Sequence, residues 1–218
     1  MLSAAFGGKL DAALDWALKR IRSGGVNPCL LTSLGLLVHL VAGGALAWGA
    51  FVWGGVLTLA AGAFDVLDGA MARASGRNTP FGGFYDSVVD RYSDGTLLLG
   101  LLGFYLWEGS RGMVLLTAVV LLGALVTPYT RARAECFIPS CAVGVLERAD
   151  RHVVLALGAL TGWMAPALWV MAVLSHLTVG QRVLYTWREL ERGPASGEGR
   201  QVVKLRRFYR IRGGGAAP

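Results

Sequence analysis

The stretch DVLDGAMARASGRNTPFGGFYDSVVD, residues 65–90, places four aspartates between two long apolar runs. Asp65 and Asp68 lie three residues apart at the end of the first run, and Asp86 and Asp90 lie four apart at the start of the second. Residues at these spacings share one face of a helix. The polar connection between the two pairs is short, so it brings the two helix ends together. We therefore predict that four carboxylates face one small volume.

The chain around this stretch has the composition of an integral membrane protein. Of its 218 residues, 54% are hydrophobic and only 16% are charged, and the mean hydropathy is +0.52. These values lie outside the range of a soluble domain of this size. Apolar runs long enough to cross a hydrocarbon core of about 30 Å predict six helices, of which the fifth is the shortest. Their bounds are Leu30–Ala50, Phe51–Ala70, Phe84–Trp107, Gly112–Thr130, His152–Met164 and Pro166–Leu184.

The basic residues predict the orientation of these helices. With six spans, 20 of the 21 Lys and Arg residues lie on the side of the acidic stretch, and only Arg111 lies on the other. The positive-inside rule then places both termini and the aspartates in the cytoplasm, in a multi-pass protein of the inner (plasma) membrane. The opposite helix ends carry Trp48, Trp53, Trp107 and Trp163, as expected of interface anchors.

Two flanking segments surround a single predicted membrane domain, residues 27–190. In residues 1–26, an apolar stripe from Leu10 to Ile21 with charges around it predicts an amphipathic helix on the membrane surface rather than a signal peptide. Residues 191–218 form a basic tail, which fits either a solvated topogenic segment or a lipid-binding one. The net charge of +7 lies at membrane boundaries, so the predicted partner is the anionic lipid of the bilayer and not nucleic acid.

The cysteines do not suggest a stabilising framework. Cys29, Cys136 and Cys141 are odd in number and lie on the reducing side of the predicted topology. Cys136 and Cys141 have no histidine close by in the sequence, which makes them a weak metal-binding pattern. We therefore predict three ordinary thiols.

The four aspartates of the acidic stretch require a cation. Close approach of like charges and burial both disfavour ionised carboxylates, and burial costs each anion several kcal/mol. The stretch contains no His or Cys, so its ligands are all oxygens and suit a hard ion such as Mg²⁺ or Mn²⁺ rather than zinc. Two such ions about 3.5–4 Å apart can hold both oxygens of a phosphoryl-type displacement.

Other residues of the stretch fit a phosphate-bearing ligand. Gly69 and Gly82 allow a bulky ligand to approach the backbone. Arg73 offers a bidentate donor to a phosphate, although it also fits a plain topogenic charge. Thr79 fits two compatible roles, as a ligand contact and as the N-cap of a helix that begins with proline.

The same residues carry a resemblance to a known family. The stretch matches the signature D-x2-D-G-x2-A-R-x8-G-x3-D-x3-D of the CDP-alcohol phosphatidyltransferases. The matching positions are Asp65, Asp68, Gly69, Ala72, Arg73, Gly82, Asp86 and Asp90. The resemblance implies an all-α fold with six transmembrane helices in a homodimeric membrane enzyme. It implies that this enzyme moves a phosphatidyl group from CDP-diacylglycerol to an alcohol and releases CMP.

The resemblance also implies roles for individual residues. Asp65, Asp68, Asp86 and Asp90 would ligate two Mg²⁺ ions, with Mn²⁺ as a substitute. Asp90 would also take the proton of the attacking hydroxyl. The residues that would bind the CDP-lipid include a P-x3-T segment before the first span; they are Cys29, Leu30, Leu31, Thr32, Asp68, Gly69, Arg73, Thr79 and Gly82.

The signature is silent about the acceptor, but three basic segments at other helix ends bear on it. YTRARAE (129–135), LERADR (146–151) and QRVLYTW (181–187) would surround the metal site with a pocket suited to an anionic, phosphorylated polyol. In the same order, they resemble segments of the bacterial phosphatidylinositol-phosphate synthases. This resemblance implies that the phosphate of inositol 1-phosphate is held by Arg131, Arg148, Arg151 and Arg182.

Alternatives to this interpretation stay open at the level of sequence. Arg131 stands where a lysine is common, an insert CFIPSCAVG precedes the second basic segment, and each arginine also fits a plain positive-inside charge. Within the family, the alternative is a phosphatidylglycerophosphate synthase that uses glycerol 3-phosphate. Outside it, the alternative is a divalent-cation transporter, although transporter sites usually lie near the membrane midplane between repeats.

Overall fold

A computed structural model describes residues 28–74 and 79–192, with side chains for residues 29–65 and 79–192. These residues form helices and no strand, which confirms the predicted all-α fold. In chain order the helices are α1 (Pro28–Ala47), α2 (Phe51–Ala74), α3 (Pro80–Trp107), α4 (Arg111–Ala134), α5 (Arg148–Thr161) and α6 (Met164–Arg192). The predicted surface helix, residues 1–26, and the tail beyond Arg192 lie outside the described residues.

Local capping sets several helix ends that hydropathy alone misplaced. α3 begins at Pro80, before the predicted Phe84, because the Thr79 hydroxyl accepts a hydrogen bond from the Gly82 amide at 3.0 Å. α5 begins at Arg148, before the predicted His152, because the Asp150 carboxylate accepts one from the Glu147 amide at 3.0 Å. The apolar runs therefore predicted the cores of these helices and missed their polar first turns.

The helices differ in how well each is suited to cross a bilayer alone. Three are long and apolar enough by length and composition, namely Cys29–Ala47, Arg111–Ala134 and Met164–Arg192, and Phe51–Asp65 is a shorter apolar helix. α5 has only 14 residues, fewer than the roughly 20 that a span needs. The structure is that of a multi-pass membrane protein, and the count of six spans stays a prediction.

Close backbone packing joins α1 to α3. A Cβ on Gly100 would lie 2.1 Å from the Gly43 carbonyl oxygen, so only glycine fits this crossing. Around the crossing, fully buried side chains such as Leu46, Leu97 and Leu101 fill the core between these helices and the others. The tight crossing brings the next turns of the two helices, which carry His39 and Asp94, into one layer.

The segment between α4 and α5 is fixed against α6. The Thr178 hydroxyl accepts hydrogen bonds from the amides of Val145 and Leu146, both at 3.2 Å. Arg182 Nε donates to the Val143 carbonyl at 2.9 Å. The insert noted in the sequence thus holds the start of α5 beside α6. Cys29, Cys136 and Cys141 form no disulfide with one another in the structure.

Candidate active site

Two of the predicted aspartates converge on one arginine. Arg148 Nη1 lies 2.8 Å from Asp65 Oδ2 of α2 and 2.8 Å from Asp90 Oδ1 of α3. Asp86, one turn before Asp90, is close enough to repel both carboxylates electrostatically. The structure therefore brings Asp65 and Asp90 together on Arg148, with Asp86 one turn before Asp90 on the same helix, whereas the side chain of Asp68 lies outside the described residues.

The arrangement fits the hard divalent ion that the sequence predicts. Carboxylate oxygens from two helices point at the same cationic nitrogen, and these side chains are only about one-fifth exposed. Partly buried anions at such close range need a compensating positive charge. Arg148 supplies it here, and two of its nitrogens, Nε and Nη2, have no hydrogen-bond partner. A divalent ion among these oxygens would supply the same compensation and leave the arginine available to another anion.

Asp94 extends the row of aspartates by one more turn of α3, and the sequence analysis missed it. It is 6% exposed and accepts hydrogen bonds from Arg151 Nη2 at 2.7 Å and from His152 Nε2 at 2.8 Å. Arg148 Nε lies 3.5 Å from its Oδ1. The signal was present, because the spacing of four that separates Asp86 from Asp90 is repeated once more. Asp94 ties the first turns of α5 to the metal-site helix.

The four arginines that were predicted to bind the acceptor line one cavity. The cavity, called the arginine cavity below, has a volume of about 420 Å³ and is enclosed by α3, α4, α5 and α6. Arg91 is a fifth guanidinium in its wall. The complete lining is Ser87, Asp90, Arg91, Asp94, Thr127, Pro128, Arg131, Ala132, Glu135, Glu147, Arg148, Arg151 and Arg182.

Two of these arginines are fixed parts of the wall. Arg182 is 5% exposed, and its Nε and Nη1 donate to the backbone carbonyls of Val143 and Thr127. Arg151 is 3% exposed and is held by Asp94. Because both guanidiniums are nearly fully buried and hydrogen-bonded within the bundle, they form part of the positively charged wall.

The other two arginines have partners that can be exchanged. Arg131 Nε donates to Glu135 Oε1 at 3.0 Å, in an ion pair about two-fifths exposed. That hydrogen bond holds the pKa of Glu135 below its usual range. Arg148 pairs with Asp65 and Asp90, two of the predicted metal ligands. An incoming phosphate can therefore recruit Arg131 and Arg148 without breaking the bundle.

A second cavity meets the arginine cavity at this point. It has a volume of about 500 Å³ and lies between α2 and α5, so we call it the α2–α5 cavity. Leu59 and Val153 line it and are also exposed on the outside of the bundle. Among the described residues, the two cavities share only Asp90, Glu147 and Arg148.

The predicted CDP-lipid residues whose side chains the structure describes line neither cavity. Leu31 and Thr32 are buried in α1, whereas Leu30 is 56% exposed. Thr79 acts as the N-cap of α3, which leaves its predicted ligand role untested. For Asp68, Gly69 and Arg73 the structure describes only the helical backbone. The nucleotide site therefore stays a prediction.

A pair of buried histidines lies next to Asp65, and the sequence analysis did not predict this pair. His39 of α1 is fully buried, and its ring centre lies 5.0 Å from that of His152 of α5. Each is a single histidine in an apolar run, so the sequence does not show that they meet. Only the packing of α1 and α5 against α2 brings them together.

Comparison with known proteins places this geometry in context. The profile of the CDP-alcohol phosphatidyltransferases matches residues 26–180. Among curated relatives, the archaetidylinositol phosphate synthase of Methanothermobacter thermautotrophicus is 40% identical over 168 residues, which are 74% of this chain and 83% of that one. The phosphatidylinositol phosphate synthase of Mycobacteroides abscessus is 35% identical over 193 residues, 84% of this chain and 86% of that one.

Solved structures of one enzyme share the fold. The Mycobacterium tuberculosis phosphatidylinositol phosphate synthase with CDP-DAG bound superposes with a TM-score of 0.74 at 29% identity, over 80% of this chain and 93% of that one. The same enzyme in complex with manganese and citrate superposes with a TM-score of 0.73, over 78% of this chain and 87% of that one. The likeness therefore extends over most of both chains.

Proposed function

The chain belongs to the CDP-alcohol phosphatidyltransferase family and is therefore a phosphotransferase of phospholipid synthesis, and from this premise we propose its acceptor. It transfers a phosphatidyl group from CDP-diacylglycerol to inositol 1-phosphate and releases CMP. The observation that carries the proposal is the position of Asp90 and Arg148, which lie where the arginine cavity and the α2–α5 cavity meet. A water-soluble anion and a lipid phosphate can reach the same carboxylate from opposite sides.

The proposed cofactor is a pair of Mg²⁺ ions, with Mn²⁺ as a substitute. Asp65, Asp68, Asp86 and Asp90 would hold them, and when bound they would neutralise the charge on the pyrophosphate of the donor. The convergence of Asp65 and Asp90 on one cationic group supports this assignment. So does the manganese in the related mycobacterial structure.

Asp90 is the proposed base. The hydroxyl oxygen of the acceptor attacks the phosphatidyl phosphorus, the bond from that phosphorus to the CMP oxygen breaks, and Asp90 accepts the hydroxyl proton. Among the proposed metal ligands whose side chains are described, Asp90 is the one that lines both cavities. Asp65 lines only the α2–α5 cavity, so the same role does not suit it.

The arginine cavity explains why the acceptor would carry a phosphate. Arg131 and Arg148 would exchange their present carboxylate partners for the phosphate, while Arg151 and Arg182 supply a fixed positive wall. A neutral acceptor would offer Arg131 and Arg148 no anion in exchange for their carboxylate partners. The names of the archaeal and mycobacterial relatives reported above, which refer to inositol phosphate lipids, favour inositol 1-phosphate over glycerol 3-phosphate.

The α2–α5 cavity is the proposed site for the lipid part of the donor. It begins at Asp65 and Asp90 and continues along Leu59 and Val153, which face the outside of the bundle. A lipid whose head group is at the aspartates can therefore keep its chains in the bilayer. We also propose a homodimer in the inner (plasma) membrane, with both termini and the active site cytoplasmic.

An acceptor panel with CMP release as the readout tests the proposed function. The purified protein is supplied with CDP-diacylglycerol, or with its ether-lipid counterpart, and with Mg²⁺, Mn²⁺ or a chelator. We expect CMP release only with a divalent ion and inositol 1-phosphate. Turnover with glycerol 3-phosphate would instead indicate a phosphatidylglycerophosphate synthase. Ion flux into liposomes without CMP release would contradict the enzymatic assignment and indicate a transporter.

A further inference from the structure

His39 carries a buried nitrogen that nothing in the described structure satisfies. Its Nδ1 lies 3.0 Å from the Gly35 carbonyl oxygen. Because a carbonyl only accepts, this nitrogen carries the hydrogen. Nε2 is then an acceptor, and it has no hydrogen-bond partner although the residue is 0% exposed. Leaving such a group unpaired is unfavourable, so the site favours a bound species.

Two further ligand groups lie around this nitrogen. One candidate ligand atom from each of His39, Asp65 and His152 lies within 4.8 Å of the other two. The two carboxylate oxygens of Asp65 have different neighbours, and Oδ2 is the one that contacts Arg148. Its Oδ1 points toward α1, where a Cβ added to Gly35 would lie 3.2 Å away.

The two rings are oriented as ligating histidines commonly are. Such a histidine donates its other N–H to a backbone carbonyl or a carboxylate, which fixes the ring and its tautomer. His39 donates to the Gly35 carbonyl and His152 donates through Nε2 to Asp94 at 2.8 Å. Two imidazoles bound tetrahedrally to one ion would have centres about 5 Å apart. The observed separation is 5.0 Å.

We propose that His39, His152 and Asp65 form a second cation site. It is distinct from the all-oxygen site that Asp65 would form with the other aspartates of the acidic stretch. Two nitrogens and one carboxylate oxygen suit a borderline ion such as Zn²⁺ or Co²⁺ rather than Mg²⁺. The ligand atoms would close to about 3.3 Å from one another around such an ion. The ion would tie α1, α2 and α5 together behind the aspartates. The competing occupant is a buried water.

Cobalt binding tests this site independently of catalysis. The protein is stripped with a chelator, saturated with Mg²⁺ and titrated with Co²⁺, and the visible absorption and the bound cobalt per chain are measured. Nitrogen ligation in a low-coordinate site gives an intense visible band, whereas Co²⁺ in an octahedral oxygen site absorbs weakly. We expect wild type to show the intense band and His39→Gln to lose it together with one equivalent of cobalt.

His176→Gln is the matched control. His176 also bonds a backbone carbonyl through Nδ1, that of Ala172 at 2.9 Å, but it lies on α6 outside the cluster. This variant should keep the band. A wild-type protein without the band, or a His39→Gln variant that keeps it, would overturn the proposal and leave a water as the occupant. If the His39→Gln variant fails to fold, the presence or absence of the band in wild type decides. Mg²⁺-dependent CMP release is measured separately, because it tests the proposed function and not this site.

Discussion

The two cavities that meet at Asp90 and Arg148 differ in what encloses them. Four helices with five guanidiniums in their walls form the arginine cavity. The α2–α5 cavity is lined by α2 and α5 with Asp90 of α3, and its small and apolar residues, such as Leu59 and Val153, continue from the charged end to the outside of the bundle. The difference suggests a division of labour, because guanidiniums attract a soluble anion and an apolar groove receives a lipid. The reaction would then occur at the wall that both cavities share.

Replacing the shared carboxylate should have the largest effect. Asp90→Asn keeps the size of the side chain but removes the proposed base and a metal ligand, so we expect CMP release to fall by roughly 100- to 10,000-fold. Donor binding should survive. Single-turnover CMP release and equilibrium donor binding check this. Glu108→Gln at the other end of α3 is the control, and normal turnover in Asp90→Asn would show that Asp90 is not the base.

Removing the shared arginine should affect the acceptor more than the donor. Arg148→Ala loses charge-assisted hydrogen bonds worth about 1.5–3 kcal/mol, so we expect the acceptor KM to rise by roughly 10- to 100-fold. Steady-state kinetics with each substrate varied in turn separates the two KM values. Arg111→Ala, at the first residue of α4 and outside both cavities, should behave as wild type. An unchanged acceptor KM in Arg148→Ala would leave Arg148 as a plain topogenic charge.

Substitutions of Asp94 test whether the position of Arg151 in the wall of the arginine cavity contributes to acceptor binding. Asp94→Asn weakens the hold on Arg151 and His152, and we expect the acceptor KM to rise by about tenfold through misplacement of Arg151. The donor KM should stay the same. Asp94→Glu, which keeps the charge, should recover part of the loss. A fall in thermal stability with both KM values unchanged would assign Asp94 a purely structural role.

Filling the α2–α5 cavity should have the smallest effect, and it should change the donor KM rather than the acceptor KM. A Cβ on Gly62 would meet nothing within 4 Å, so Gly62→Leu can extend into this cavity without disturbing the helix packing. We expect the donor KM to rise a few-fold and the acceptor KM to stay unchanged. Gly103→Leu is the control, because Gly103 is equally open but lines neither cavity. A rise in the acceptor KM instead would contradict the division between the cavities.

The sequence predicted the aspartates and arginines of the site better than it predicted the buried residues behind them. The spacings of Asp65, Asp86 and Asp90 placed them on facing helix ends, and the basic segments predicted the arginines that line one cavity. These features follow from helix periodicity and from the rule for positive charges. They need no knowledge of which helix packs against which.

What the sequence did not show depends on tertiary packing. Gly43 and Gly100 set how closely α1 approaches α3, and this crossing decides that His39 faces the site rather than lipid. The partners of Arg151 and Arg182 come from residues more than 30 positions away along the chain. Hydropathy assigns the same value to a histidine in either environment. The buried residues behind the aspartates were therefore identified only from the structure.

An experimental structure with inositol 1-phosphate and a divalent ion bound tests the central claim most directly. We predict that the phosphate contacts Arg131 and Arg148 in the arginine cavity and that a ring hydroxyl lies within hydrogen-bond distance of Asp90. A phosphate bound elsewhere, with the arginine cavity closed and Arg148 still paired with Asp65 and Asp90, would contradict the account.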